Sequence, residues 1–338
     1  MSYFWIMNTE PSAQESLFNA IKSSLPSNIS LVHDISELLG ISYDSAYRRI
    51  RSEKELSLDE LKMLSLHYKI SIDTLFNLKN NNIVFNSLFL SEQGITFGEW
   101  LRLMLDQVKM INLFKEKELI YSAKDIPIFH YFEFPEIFAF KVYFWHKALI
   151  PSQEFTEKLI TLVVCDKMLE IGRQIAITYS KIPTCELWNE ETFNSIIRQI
   201  EFCFVSGYFS KKDDAIRLCD VLEKMINHLQ HQAEVGFLFP YGTNPEGIEG
   251  SFKLYCNEVL LGDNTIFVKM NGNPTTFLTY NVLNLLITSN PLFCQQIEKS
   301  LRILMQESTL ISSTSAKDRN RFFIQIIDKI NGLRKRME

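Results

Sequence analysis

Arg48, Arg49, Arg51 and Lys54 fall within seven consecutive positions of a 338-residue chain. A guanidinium offers paired N–H donors that suit a phosphate or the groove edge of guanine, and an ammonium is a compact phosphate counter-charge. Tyr43, Asp44 and Tyr47 stand just before them. At about 100° per residue, Asp44, Arg48 and Arg51 share one outward helix face, while Ala46 and Ile50 share the opposite one. The chemistry on offer is recognition of a duplex. Bulk charge does not add to it: between Asn28 and Lys79 seven basic residues meet eight acidic ones, a net of −1. The strong nonspecific attraction that supplies most bulk DNA affinity is therefore missing.

Other residue patterns offer less. His228 and His231 are three apart on an expected helix with Glu234 nearby. No third metal ligand is evident, so a solvated helix face is the preferred reading and no metal is expected. No Gly-x-Ser-x-Gly or phosphate loop occurs, and the glycines from Gly242 to Gly250 lack a strand-turn-helix frame. Phe129, Tyr131, Phe132, Phe134, Phe138, Tyr143, Phe144 and Trp145 could line a pocket for an apolar effector, with plain core as the preferred alternative. The six cysteines include no Cys-x-x-Cys pair and read as buried, reduced thiols. No apolar run is long enough to span a bilayer, the start of the chain lacks a basic secretory signal, and net charge is −5. A cytoplasmic protein without membrane contact is expected.

The elements that must position the basic cluster are short helices. Ile35, Leu38 and Leu39 form an apolar stripe over residues 31–39, and Gly40 suits the left-handed residue that ends such a helix. Ser42 can cap the next helix, which runs to about residue 51, and the small Ala46 admits the preceding helix closely. Ser57-Leu58-Asp59-Glu60 is a capping box opening a third helix with Leu61, Leu64 and Tyr68 on its inner side. Ser71 to Phe76 would make a closing turn.

Gly40-Ile41-Ser42, Ala46, Tyr47-Arg48, Ser57-Leu58-Asp59-Glu60-Leu61 and Ile70-Ser71-Ile72-Asp73-Thr74-Leu75 together resemble the helix-turn-helix of lambda-repressor-like (XRE-type) transcriptional regulators. The resemblance implies a DNA-binding set of Ser42, Tyr43, Asp44, Ser45, Tyr47, Arg48, Arg51 and Lys54. Tyr43, Asp44, Tyr47 and Arg48 would face bases, and Arg51 and Lys54 the phosphates. Two positions depart from the family pattern, Ser52 for its usual Gly and Leu56 for its usual Pro. They suggest a turn that is longer or differently closed. The long remainder loosely resembles that of some Bacteroidetes regulators of this kind.

Past a polar joint at Asn80-Asn81-Asn82, helices are expected from Thr96 to about Glu118, from Pro135, and at about 152–182, 189–209, 212–232, 290–308 and 315–336. The stretch before Pro135 reads as extended. Gly and Pro over 236–250 mark a loop and a possible sub-boundary. Three strand-like stretches follow, with Asn271-Gly272 as a hairpin turn. The expected fold is mainly α, indeed all-α in texture: a four- to five-helix DNA-binding domain over residues 1–80, then a helical dimerisation and effector region over 81–338 with a small antiparallel meander near 251–280. The last helix, with Phe322, Phe323, Ile326, Ile327, Ile330 and Leu333 on one stripe, would either dimerise or cover the sheet. The expected function is a sequence-specific transcriptional regulator that binds double-stranded DNA as a homodimer, with a possible small-molecule effector, no cofactor and no enzymatic role. The alternatives are a helical protein-interaction scaffold, or an enzyme with its site in the carboxy-terminal region.

Overall fold

A computed structural model describes residues 11–25, 29–72, 83–87, 90, 95–148, 158–258 and 262–338. The chain divides into two compact units, Met1–Val84 and Phe85–Glu338. The expected turn at Ser71–Phe76, the joint at Asn80–Asn82 and the start of the helix expected from residue 152 fall largely or wholly outside the described residues.

Four helices are described in the first unit: α1 (Ala13–Ser24), α2 (Leu31–Leu39), α3 (Tyr43–Ile50) and α4 (Leu58–Tyr68). Reciprocal capping boxes open α1 through Ser12 and Glu15, and α4 through Ser57 and Glu60. Each satisfies amides that a first helical turn leaves free. Leu17, Phe18, Ile21, Ile35, Ala46 and Leu64 are buried together, with Leu38, Ile50, Leu61 and Tyr68 packed around them. Each helix contributes a 3–4-spaced stripe to this core. A hydrogen bond of 2.6 Å from the Tyr68 hydroxyl to Asp34 ties α4 to α2.

The second unit overturns the mainly α expectation. It holds an eight-stranded mixed sheet: β1 (Asn86–Ser87), β2 (Lys117–Ser122), β3 (Thr184–Trp188), β4 (Phe252–Cys256), β5 (Thr265–Met270), β6 (Asn273–Tyr280), β7 (Asn284–Thr288) and β8 (Thr309–Leu310). The spatial order is β1-β7-β6-β5-β2-β3-β4-β8. β2, β3 and β4 run parallel, with helices in the connections, and β5 returns antiparallel against β2. The meander is thus β5-β6-β7 rather than the first three strand-like stretches, since β4 pairs with β3 and β8 instead. Asn271 and Gly272 both have positive φ, as a tight type I′ turn between β5 and β6 requires.

The overturned reading has a physical cause. β3 is buried along its whole length, so it shows no polar–apolar alternation, and five residues are too few to separate from a helix linker. β2 follows shortly after α5 (Phe97–Leu113), and its first two residues fall within the helix expected to about Glu118. Residues Ile128–Glu133 form a 3-10 turn rather than an extended stretch.

Six further helices are described: α6 (Pro135–Ala148), α7 (Asp166–Tyr179), α8 (Asn194–Val205), α9 (Asp213–Val235), α10 (Pro291–Gln306) and α11 (Ala316–Met337). One sheet face, through Ile120, Cys185, Leu187 and Phe267, packs on Cys294 and Leu301 of α10. The other face, through Leu119, Tyr121, Leu254 and Val268, joins the large core built with the remaining helices. The stripe of α11 packs on α9 and α8 within the chain, so its main partners are helices rather than the small sheet or a second copy. No described helix is long and apolar enough to cross a membrane.

Candidate nucleic-acid interface

Gly40, at φ +63°, ends α2, and its N–H reaches Glu37 while that of Ile41 reaches the Ser36 carbonyl at 3.0 Å. This closure turns the chain within two residues, so α3 starts at once. Ser42 caps α3: its Oγ accepts from the Ser45 N–H at 3.3 Å and donates to the Ser45 hydroxyl at 3.1 Å. Both serines expected to touch DNA are therefore engaged with each other. Their first role is to shape the helix start.

The α3 side chains divide cleanly. Ala46 and Arg49 are buried, whereas Tyr43, Asp44, Tyr47 and Arg48 are exposed, the two tyrosines by 54% and 49%. Leaving two large aromatic rings half in water costs hydrophobic burial, so their exposure is informative. The His33 ring meets Tyr43 edge-on at 5.7 Å and fixes one side of that ring. Arg48 has no ion-pair partner among the described residues. Arg51, also exposed, lies over the Tyr47 ring at 5.6 Å and pairs with Glu53 at 3.3 Å. Lys54 is exposed just beyond.

Arg49 leaves the basic cluster. Its guanidinium turns inward, donating to Glu60 at 2.7 Å and to the Ser45 carbonyl at 3.1 Å. Burial alone would raise the Glu60 carboxyl, but the Arg49 guanidinium and the Ser57 N–H outweigh it and hold Glu60 below its usual range. The pair joins α3 to the first turn of α4. Three cations, Arg48, Arg51 and Lys54, remain on the outer surface, one of them already facing a carboxylate.

The turn after α3 is closed in the ordinary way, contrary to the expectation drawn from Ser52 and Leu56. The Ser52 N–H donates to Arg49 at 3.0 Å and the Glu53 N–H to Arg48 at 2.8 Å, the double closure of a Schellman motif. Ser52 adopts φ +58°, the left-handed conformation for which Gly is the usual choice. Gln14 of α1 completes it. Its Nε2 donates to the carbonyls of Arg49 and Lys54, each at 2.8 Å, and its Oε1 accepts from the Leu56 N–H at 3.0 Å. The clamp is not among the sequence expectations, which include no helix at α1. The Ser12-x-x-Glu15 box before Leu17, Phe18 and Ile21 was the available signal.

Elsewhere, His228 Nε2 lies 3.0 Å from the Phe239 carbonyl, and burial pushes the ring down to about 4, so it is a neutral structural group. Among the described residues no group of three His, Cys, Asp or Glu is placed to hold a metal. Of the aromatic stretch, Phe129, Tyr131 and Trp145 line a cavity, while Phe132, Phe134 and Phe138 are core. Cys165 is exposed and Cys256 half-buried, unlike the other four cysteines.

The chain matches no family model, no curated protein and no solved structure.

Proposed function

We propose that the chain is a sequence-specific DNA-binding transcriptional regulator whose α3 enters the major groove. The observation that carries this reading is the division of α3. Arg49 and Ala46 lock the helix to its own unit, while Tyr43, Asp44, Tyr47 and Arg48 are held out on one face of a helix that follows a two-residue turn. Arg48, unpaired on the described surface, is suited to the paired acceptors of a guanine edge. Arg51 and Lys54, near the end of the helix, are suited to phosphates. With few surplus cations a single copy would bind weakly, so a homodimer on two half-sites is part of the proposal.

The test is a pair of substitutions read by mobility shift against a panel of duplexes. Arg48→Ala should reduce discrimination between best and worst duplexes by roughly 1–3 kcal/mol, the worth of a bidentate base contact. Lys54→Ala should weaken all duplexes alike and lower the slope of log affinity against log salt by about one. Equal loss of preference in both variants would remove the division of roles.

One observation favours a second reading. Leu58, Met63 and Leu66 of α4 are exposed, Leu58 by 84% and Leu66 by 70%. Such a face suits protein contact, either with a second copy in the dimer or with another partner in a scaffold that binds no DNA. An unbound duplex panel with a retained dimer would favour the scaffold.

A further inference from the structure

The second unit contains a cavity of about 150 Å³ between α5, the 3-10 turn, α6 and the β5-β6-β7 part of the sheet. Trp100, Leu103, Val108, Ile266, Phe277 and Leu285 give it apolar walls. A space of this size accommodates roughly a single ring or a short aliphatic chain.

The polar groups on its lining are unusual. Lys141 and Trp145 are four apart on α6, and both are almost fully buried. The Lys141 ammonium lies 5.0 Å from the Tyr131 ring centre and 5.2 Å from that of Trp145. Its described hydrogen bond goes to the neutral Gln199 Oε1 at 2.9 Å, and no carboxylate is within ion-pairing distance among the described residues. The Tyr131 hydroxyl and the Trp145 indole N–H are buried with no acceptor, and Asp125 Oδ1 is buried with no donor. Buried polar atoms without partners are uncommon in folded proteins, and three on residues that line one cavity call for a cause. A buried cation lacking a counter-ion is costlier still. Burial pushes Lys141 down to about 8, with Asp125 opposing the shift, so the ammonium persists at neutral pH.

We propose that this cavity binds a small amphipathic acid, its carboxylate held by Lys141, Tyr131 and Trp145 and its apolar body among the side chains of α5 and β5-β6-β7. A carboxylate would supply the missing counter-charge and accept from both orphan donors, interactions stronger than neutral hydrogen bonds. Asp125, half-buried and of the wrong sign for an anion, has an unpartnered Oδ1 that can accept a hydrogen bond from a further polar group of the ligand. The proposal concerns the second unit alone and stands or falls whatever the first unit binds.

Calorimetric titration of the full chain with sodium octanoate, octan-1-ol and octylammonium chloride tests it, since the three probes share a tail and differ in head group. Octanoate should saturate one site and bind at least roughly tenfold more tightly than the alcohol, with the ammonium weakest. Lys141→Met should erase the preference for acid over alcohol. Tyr131→Phe, which removes only an unpartnered hydroxyl, should weaken octanoate several-fold and leave the alcohol unchanged, and it decides the matter should Lys141→Met unfold the chain. Leu103→Trp, filling the cavity from α5, should abolish binding of both. Absence of saturable octanoate binding, tighter binding of the ammonium, or an undiminished acid preference in Tyr131→Phe with Leu103→Trp still binding would overturn the proposal.

Discussion

At the scale of single residues, the reading depends on which way each arginine turns. Arg48 and Arg49 are neighbours in sequence, yet one is in water and the other is paired with Glu60 inside the unit. A count of basic residues cannot make that distinction, whereas helical phase can: Arg49 is three residues from Ala46 and follows the buried side. Ser52 gives a second residue-level result. A non-glycine residue in the left-handed region bears about 1–2 kcal/mol of strain, against the 0.5–1 kcal/mol of extra chain entropy that glycine loses on folding. The Ser52 hydroxyl is also buried without a partner. Ser52→Gly should therefore stabilise the first unit by about 0.5–1 kcal/mol in denaturant unfolding, and Gly40→Ala, at φ +63°, should do the reverse. A destabilised Ser52→Gly would mean that its side chain contributes something the backbone geometry does not reveal.

At the scale of elements, α3 is aimed by what lies around it. The Arg49–Glu60 pair sets its distance from α4, and Gln14 bridges from α1 to the turn that follows it. Three neutral hydrogen bonds to one amide, partly solvated, are together worth about 1–3 kcal/mol. Gln14→Ala should cost the first unit that much and speed hydrogen exchange at the Leu56 amide, while leaving exchange of the β-sheet amides unchanged. Unaltered exchange at Leu56 would show that the turn closes without the clamp. The helices of this unit were legible because caps and 3–4 spacing declare them locally: Ser42, Ser57 and Gly40 stand where helix ends need them. The sheet was legible only in part. β3 has no exposed face to print an alternating pattern, β8 and β1 are two residues each, and pairing between β2 and β5 joins segments more than a hundred residues apart in sequence. β4, β5 and β6 do show strand patterns in the sequence, and the Asn-Gly turn declares the β5-β6 hairpin.

At the scale of the whole molecule, each unit has a core of its own, and the apolar stripe of α11 is engaged with α9 and α8 rather than left for a partner. A dimer would need another surface, and exposed Leu58, Met63 and Leu66 on α4 are apolar candidates for it in the first unit. Helical phase alone separates the outward Asp44 and Arg48 from the inward Ala46 side, but what anchors Arg49 and the turn after it is not legible in sequence. That depends on Glu60, eleven residues beyond Arg49, and on Gln14 of α1. The central claim, that α3 presents Tyr43, Asp44, Tyr47 and Arg48 to a duplex, is tested most directly by selecting bound duplexes from a random pool with the full chain and with Arg48→Ala. The account predicts a recurrent motif, arranged as two half-sites about one helical turn apart, that loses information at one position of each half-site in the variant. A pool that stays random with the unaltered chain, or an identical motif from both proteins, would contradict it.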